Sequence, residues 1–149
     1  MFTNRLLLIR QRNGLTQEEL GKIVGVTKHS IYNWEHNLEI IPLKHLNTYA
    51  NYFNLSMDYI LNLTNDKMEC NDVYKLDKKV IGNNIKEIRT QNNLTQRELA
   101  QILNTEHSTI GKYERGENLI LTAFAYQICK KFNISMDSLC GRSKAKIPN

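Results

Sequence analysis

Apolar residues in this chain recur three and four positions apart, the spacing that places residues on one face of an α-helix. The positions that follow this spacing include Leu6, Ile9, Ile31, Trp34, Leu43, Leu46, Ala50 and Phe53. Strand-like alternation is rare, and proline occurs only at positions 42 and 148. The pattern therefore predicts an all-α fold.

The same pattern occurs twice, 79 residues apart and without a gap. The segment NGLTQEEL at residues 13–20 returns as NNLTQREL at residues 92–99, and FNLSMD at residues 53–58 returns as FNISMD at residues 132–137. The repeat is too long for a solenoid unit and long enough for a small domain with its own core. The predicted parts are a domain over residues 1–63, a polar linker over 64–78, a second domain over 79–141 and a flexible tail over 142–149.

The second helix of each repeat is predicted to begin at a capping box. Thr16 and Glu19 have the required spacing, and Thr95 and Glu98 repeat it. In such a box the threonine oxygen accepts a hydrogen bond from a free amide, and the glutamate reaches back to the cap residue. The residues predicted to face inward from this helix are Leu20 and Ile23 in the first repeat and Leu99 and Ile102 in the second.

A tight turn is predicted after this helix, because Gly25 aligns with Asn104. Glycine and asparagine are the residues that best tolerate a left-handed backbone. A third helix is predicted over residues 27–35, with its copy over 106–114. Its inward residues are Ile31 and Trp34 in one copy and Ile110 and Tyr113 in the other. A fourth helix and a short fifth helix with a serine cap complete each repeat.

These elements resemble the helix-turn-helix domain of phage repressors and Cro proteins, often called the XRE type. The matching residues of the first repeat are Leu15-Thr16-Gln17-x-x-Leu20, Gly25-Val26, Ser30-Ile31, Trp34-Glu35 and Leu55-Ser56-Met57-Asp58. Those of the second are Leu94-Thr95-Gln96-x-x-Leu99, Ser108-Thr109-Ile110 and Tyr113-Glu114-Arg115-Gly116-Glu117. The resemblance implies two tandem five-helix, lambda-repressor-like domains that bind double-stranded DNA with their third helices.

The resemblance also implies which side chains face the DNA. A recognition helix lies in the major groove, and side chains near its start reach the base edges. The candidate base-reading residues are Lys28, His29, Tyr32 and Asn33 in the first repeat, and His107, Ser108 and Lys112 in the second, where Gly111 is also expected to face outward. Because these sets differ, we expect the two domains to bind different DNA sequences.

Five further residues are candidates for contact with DNA phosphates. They are Gln17, Thr27 and His36 in the first repeat, and Gln96 and Arg115 in the second. Gln17 and Gln96 fall in the first turn of a helix, where free amides attract an anion. Glu106 departs from the family pattern, which has a neutral polar residue there. A carboxylate beside phosphates lowers affinity, so the second domain is expected to bind DNA more weakly.

The positions of Arg10 and Glu35, like those of Arg89 and Glu114, form a buried ion pair between the first and third helices in this family. A phosphate contact by Arg10 is the less favoured alternative. A second alternative concerns the whole chain, in which one domain binds DNA and the other is a dimerisation or protein-interaction module.

Composition narrows the functional class further. The net charge is +5, and residues 79–149 carry eleven Lys and Arg against six Asp and Glu. Such an excess permits a polyanionic partner without proving one. The cysteines, Cys70, Cys129 and Cys140, are odd in number and scattered. This pattern favours a reducing, cytoplasmic compartment over a disulfide framework, with Cys129 as a small core residue.

No set of residues predicts catalysis, a metal site or a cofactor. The four histidines, which include His45, lack metal-ligand spacing with the cysteines. His45 is expected on the surface of the fourth helix. Lys144 and Lys146 are expected in a solvated tail, with DNA contact as the alternative. The expected partner is double-stranded DNA. A homodimer and a protein partner are open possibilities, and no association with a membrane is expected.

One difference between the repeats predicts an association surface. Leu7 and Leu8 align with Lys86 and Glu87, which must be exposed on their helix. We expect the two leucines, together with Phe2, to pack against the other domain or a second chain. Changing Leu7→Lys and Leu8→Glu together should therefore loosen that association, which sedimentation and thermal unfolding would measure. An unchanged mass and an unchanged thermal stability would contradict the prediction.

Overall fold

The computed structural model describes residues 2–67 and 72–142, in which it contains ten α-helices and no strand. The chain divides into two compact units, the first up to Val73 and the second from Tyr74. The first contains α1 (Leu6–Arg12), α2 (Gln17–Val24), α3 (Lys28–Glu35), α4 (Leu43–Phe53) and α5 (Met57–Ile60). The second contains α6 (Lys78–Gln91), α7 (Gln96–Leu103), α8 (His107–Glu114), α9 (Thr122–Phe132) and α10 (Met136–Leu139). The predicted all-α fold with two five-helix domains is confirmed.

The two units follow the same backbone path. Four of the five helices match residue for residue at the 79-residue offset. Every residue of the described segments with a positive φ has a counterpart, and all are glycine or asparagine. The pairs are Gly14 and Asn93, Gly25 and Asn104, Asn37 and Gly116, Asn54 and Asn133, and Asn62 and Gly141. The tight turn predicted from Gly25 and Asn104 is thus confirmed, at φ values of 78° and 55°.

The first helix is where the units differ. α6 has 14 residues and α1 has seven, and the extra turns lie at the start of α6. The Asp77 side chain caps α6 by accepting from the backbone of Lys79 and Val80, at 2.9 and 3.4 Å. In the first unit residues 2–5, which precede α1, are not helical. The backbone amide of Arg5 instead donates to the carbonyl of Ile60 in α5, at 2.7 Å.

The first unit continues into the segment predicted as linker. The Arg5 guanidinium donates to the carbonyl of Thr64 and to Asn65 Oδ1, both at 2.8 Å. The backbone amide of Ser56 donates to the carbonyl of Lys67 at 3.2 Å. These hydrogen bonds attach residues 64–67 to the first unit.

The second unit likewise extends past its expected ends. The sequence places Arg142 in a flexible tail, whereas it is only 5% exposed. It pairs with Asp137 at 3.2 Å, and its guanidinium lies 5.0 Å from the centre of the Tyr74 ring. Burial of a paired charge explains why residue 142 is ordered with the unit. Cys70, Lys144 and Lys146 lie outside the described residues.

Each unit buries its own apolar core beneath its third helix. The inward residues predicted for α3 and α8 are buried, as is Cys129. The prediction for the second helices is wrong in part, because Ile102 is 37% exposed and Leu103 is buried instead. Ile23 is half-buried, and Val24 takes the core position. The buried stripe of α2 and α7 therefore runs through positions four apart, on the side that contacts α3 or α8.

The expectation that His45 lies on the surface of the fourth helix is wrong. It is half-buried, with its ring 5.2 Å from the Trp34 ring, and its Nδ1 is buried without a hydrogen-bond partner. This burial lowers the pKa of His45. Leu7 is half-buried, and Leu8 is 38% exposed.

The turn between α2 and α3 is tight enough to predict a stability difference. A Cβ built on Gly21 would lie 2.6 Å from the carbonyl oxygen of Val26, although Ala100 occupies the matching position of the second unit. We expect Gly21→Ala to destabilise the first unit by about 1–3 kcal/mol, measured by denaturant unfolding, because the backbone must move.

Ala100→Gly is the matched control for this substitution. It should cost about 1–2 kcal/mol, because glycine has the lower helix propensity and a buried methyl group is lost, but it creates no clash. A Gly21→Ala chain as stable as the parent would show that the turn relaxes without cost, contrary to this prediction.

Candidate DNA interface

A buried ion pair connects the first and third helices of each unit. Arg10 donates to both carboxylate oxygens of Glu35, at 2.7 and 3.0 Å, and to the carbonyl of Leu15 at 2.9 Å. The Glu35 side chain is completely buried. Arg89 and Glu114 repeat this geometry at 2.6 and 2.9 Å. The hydrogen bonds raise the pKa of both arginines, and the predicted ion pairs are confirmed.

The same carboxylate also holds the glutamine at the start of the second helix. Gln17 Nε2 donates to Glu35 Oε1 at 3.1 Å, and Gln96 Nε2 donates to Glu114 Oε1 at the same distance. An amide nitrogen carries two hydrogens, so each glutamine keeps one donor and its Oε1 for another partner. Both glutamines are half-buried.

Both predicted capping boxes are present at these helix starts. Thr16 accepts from the amide of Glu19 at 3.1 Å, and Glu19 accepts from the amide of Thr16 at 3.0 Å. Thr95 and Glu98 form the same pair of bonds. The hydrogen bond from the threonine backbone lowers the pKa of Glu19 and of Glu98. The boxes fix the first turn from which the glutamines project.

The outer face of α3 carries the four predicted base-reading residues. Lys28 and His29 are exposed in its first turn, Tyr32 is 44% exposed and Asn33 is half-buried. The carbonyl of Asn33 accepts from the amides of two loop residues, Leu38 and Glu39, at 2.9 and 3.2 Å. Ile31 and Trp34 anchor the opposite face in the core. The structure therefore brings the four residues together on one accessible face.

His36 lies against the same face. Its ring stacks on Tyr32 at 4.0 Å, and its Nδ1 is 2.9 Å from the carbonyl oxygen of Tyr32. Thr27 is the N-cap residue of α3, and its side chain accepts from the amide of Ser30 at 3.5 Å. Both candidate phosphate contacts are exposed at the ends of the helix.

The outer face of α8 is different. His107, Ser108 and Lys112 are exposed as expected, whereas Gly111 is buried. The expectation that Gly111 faces outward is wrong, because Arg115 folds over it. A Cβ on Gly111 would lie 2.9 Å from Arg115 Nη1. Arg115 also pairs with Glu117 at 2.8 Å, and both side chains are more than half exposed.

The start of α8 lacks the cap that its counterpart has. Glu106 is the N-cap residue and is exposed, but its side chain accepts no capping hydrogen bond. A carboxylate here interacts favourably with the helix dipole and unfavourably with a polyanion. The two recognition surfaces therefore differ in charge at the end where base contacts are expected.

Two exposed apolar side chains lie beside α3 that were not predicted from the sequence. Leu38 is 66% and Ile40 is 40% exposed, in the loop that hydrogen-bonds to the carbonyl of Asn33. The alignment of the two repeats could have revealed Leu38 as exposed, because the second repeat has Glu117 at this position.

The described part of the chain contains no group of three or more side chains arranged to hold a metal ion. Nor is any described helix long and apolar enough to cross a membrane.

Comparison with known proteins gives two matches to helix-turn-helix families, one for each unit. Residues 3–66 match the family described as "Helix-turn-helix domain", and residues 85–139 match that described as "Helix-turn-helix". The chain is 34% identical over 87 residues to the uncharacterized HTH-type transcriptional regulator YobD of Bacillus subtilis, covering 58% of this chain and 70% of that protein. It therefore belongs to the helix-turn-helix family of DNA-binding transcriptional regulators.

Other similarities are partial. The chain is 36% identical over 69 residues to antitoxin PezA of Streptococcus pneumoniae, which covers 46% of this chain and 44% of that protein. The structure of the clp gene regulator ClgR from Corynebacterium glutamicum matches at 19% identity, with 46% of this chain, 72% of that chain and a TM-score of 0.41. The restriction-modification controller C.AhdI from Aeromonas hydrophila matches at 25% identity, with 42% of this chain, 96% of that chain and a TM-score of 0.39. The chain thus spans less than half the length of PezA.

The ion pair predicts a large stability effect in the first unit. Glu35→Gln leaves the buried Arg10 charge without a counter-charge and leaves one acceptor oxygen where Arg10 and Gln17 now share two. We expect a loss of about 3–5 kcal/mol in the free energy of unfolding of that unit, followed by denaturant titration.

Glu117→Gln is the control, because it breaks an ion pair that is exposed on both sides. Its cost should stay below about 1 kcal/mol. Equal, small losses for the two variants would mean that the Arg10–Glu35 pair does not hold the unit together.

Proposed function

We propose that the chain is a transcriptional repressor that occupies an operator in double-stranded DNA, with α3 and α8 each in a major groove. One observation carries this proposal. In each unit the third helix turns a polar, uncovered face outward, opposite a buried face that a bidentate ion pair locks in place. An α-helix with its side chains is about 10–12 Å in diameter, which suits a major groove about 12 Å wide.

The residues at 1–63 and 79–141 would act as two DNA-binding domains with separate base contacts. In the first, Lys28 is suited to guanine, which offers two acceptors, and Asn33 to bidentate pairing with adenine. His29 and Tyr32 add donors and acceptors on the same face. In the second, His107, Ser108 and Lys112 take these roles. These side chains would bind the carbonyl, amino and ring-nitrogen groups on the base edges and would not carry out a reaction.

Contacts to phosphates position such a helix without reading sequence. Gln17 and Gln96 would make them at the start of α2 and α7, with Thr27 and His36 at the two ends of α3. The mechanism is occupancy of the operator, so it requires no catalysis and no cofactor. We place the chain in the cytoplasm, where a bacterial or phage operator lies.

A second candidate function is favoured by Glu106. An exposed carboxylate at the start of α8 opposes binding to DNA, so the second unit would serve as a dimerisation or protein-interaction module. The first unit alone would then read DNA. A homodimer would supply the second reading helix in that case.

The test is binding of the full chain to DNA fragments recovered by selection from a random pool. Affinity should fall steeply with salt, with log K dropping by about 0.9 per log unit of salt for each phosphate neutralised. Asn33→Ala should reduce discrimination at one base pair by about 1–3 kcal/mol. Lys131→Ala, which removes an exposed charge in the last turn of α9, is the control for a general charge effect.

The outcome for Lys112→Ala separates the two candidate functions. A change in base preference at a second position favours two DNA-binding units. Unchanged DNA binding together with weaker self-association favours the interaction module. A full chain whose weak binding ignores both salt and sequence would contradict either version.

A further inference from the structure

Arg115 lies over a glycine on the outer face of α8, whereas its counterpart His36 stacks on a tyrosine of α3. Position 111 matches position 32 in the first unit, and position 115 matches position 36. A Cβ built on Gly111 would lie 2.9 Å from Arg115 Nη1 and 3.8 Å from its Cζ. Gly111 is therefore the residue that lets the guanidinium lie directly against the helix backbone.

The direction of this side chain matters for what it can contact. Side chains on an α-helix lean towards its N-terminus, so Arg115, at the C-cap of α8, reaches back one turn. Ser108, Gly111 and Arg115 share one face at helical spacing. In helix-turn-helix proteins the N-terminal residues of the recognition helix contact base edges. The guanidinium thus lies along the reading face and does not project past the end of the helix.

The ion pair with Glu117 does not prevent Arg115 from contacting a base. The Arg115–Glu117 pair is 2.8 Å long, with side chains 61% and 52% exposed. Such exposed pairs contribute little to stability, so the guanidinium can exchange Glu117 for another acceptor. Its planar fork of donors matches guanine O6 and N7 in bidentate fashion.

We infer that Arg115 is a specificity-determining residue that reads a guanine in the major groove, and not the phosphate contact expected from its place after the helix. The inference rests on the proposed function, since it requires α8 to enter the groove. Tyr32 fills the matching space in α3 and stacks on His36. A guanine contact from the residue after the third helix is therefore specific to the second unit.

The experiment uses the full chain and single base-pair substitutions across a DNA site that it selects. For the parent chain, one substitution of guanine should cost roughly 5- to 150-fold in affinity. Arg115→Lys keeps the charge but loses the planar fork of donors, so that penalty should become smaller while the penalties at other base pairs persist. Gly111→Tyr, the residue of the first unit, should have the same effect by displacing the guanidinium.

Glu117→Gln is the matched control, because it frees Arg115 and should leave the guanine preference intact. A uniform loss of affinity across all sites in Arg115→Lys, with unchanged base preferences, would identify a phosphate contact and overturn this inference alone. Absence of DNA binding by the parent chain would instead overturn the proposed function and this inference with it. Because position 115 is exposed, the unfolding midpoint of Arg115→Lys should equal that of the parent chain.

Discussion

The architecture of each unit depends on one buried carboxylate. Glu35 accepts from the guanidinium of Arg10 in α1 and from the amide of Gln17 in α2, while it is itself the last residue of α3. A buried charge is tolerated only when its hydrogen-bonding capacity is met, so these three helices have one mutual arrangement that satisfies it. Glu114 imposes the same condition on α6, α7 and α8. The outward face of the recognition helix is a consequence of this inward constraint.

The features that could be predicted from the sequence are those set by local chemistry. Capping boxes, left-handed turns and helix bounds each depend on residues within one turn of the chain, and the duplication showed which of them recur. The ion pair was predicted from resemblance to a family, because nothing in the spacing of Arg10 and Glu35 indicates contact. The positions of the outward residues on α3 followed once Ile31 and Trp34 were taken as core.

The errors share a different origin. Ile102 and Leu103 are both apolar, and only the neighbouring helix decides which of them is buried. His45 is drawn inward by Trp34, eleven positions earlier in the sequence. Gly111 is covered by a side chain from the following turn, which an outward helical position alone does not reveal. Tertiary contacts therefore override helical periodicity at the edges of each buried stripe.

The two units share a backbone path but differ in the side chains of their cores. In the first core the rings of His45 and Tyr49 lie 5.2 and 6.4 Å from the Trp34 ring, the second of them edge-on. Burial raises the pKa of the Tyr49 hydroxyl, which has no hydrogen-bond partner. The second has Tyr113, Phe124 and Ile128 at these positions. An unpartnered buried hydroxyl destabilises a core. The first unit therefore buries polar side chains at His45 and Tyr49, where the second has Phe124 and Ile128, while the second buries Thr122, where the first has Leu43.

This divergence has a consequence for how the chain reaches its folded state. Tandem copies of one helical domain are prone to exchange segments while they fold. Here α2–α5 match α7–α10 residue for residue, and either arginine can meet either glutamate. Unlike cores oppose such exchange. An α4 that carries His45 and Tyr49 would crowd or leave voids in the second unit, whose own helix has Phe124 and Ile128 at these positions. Sequence drift between the copies thus protects the assembly of each from the other.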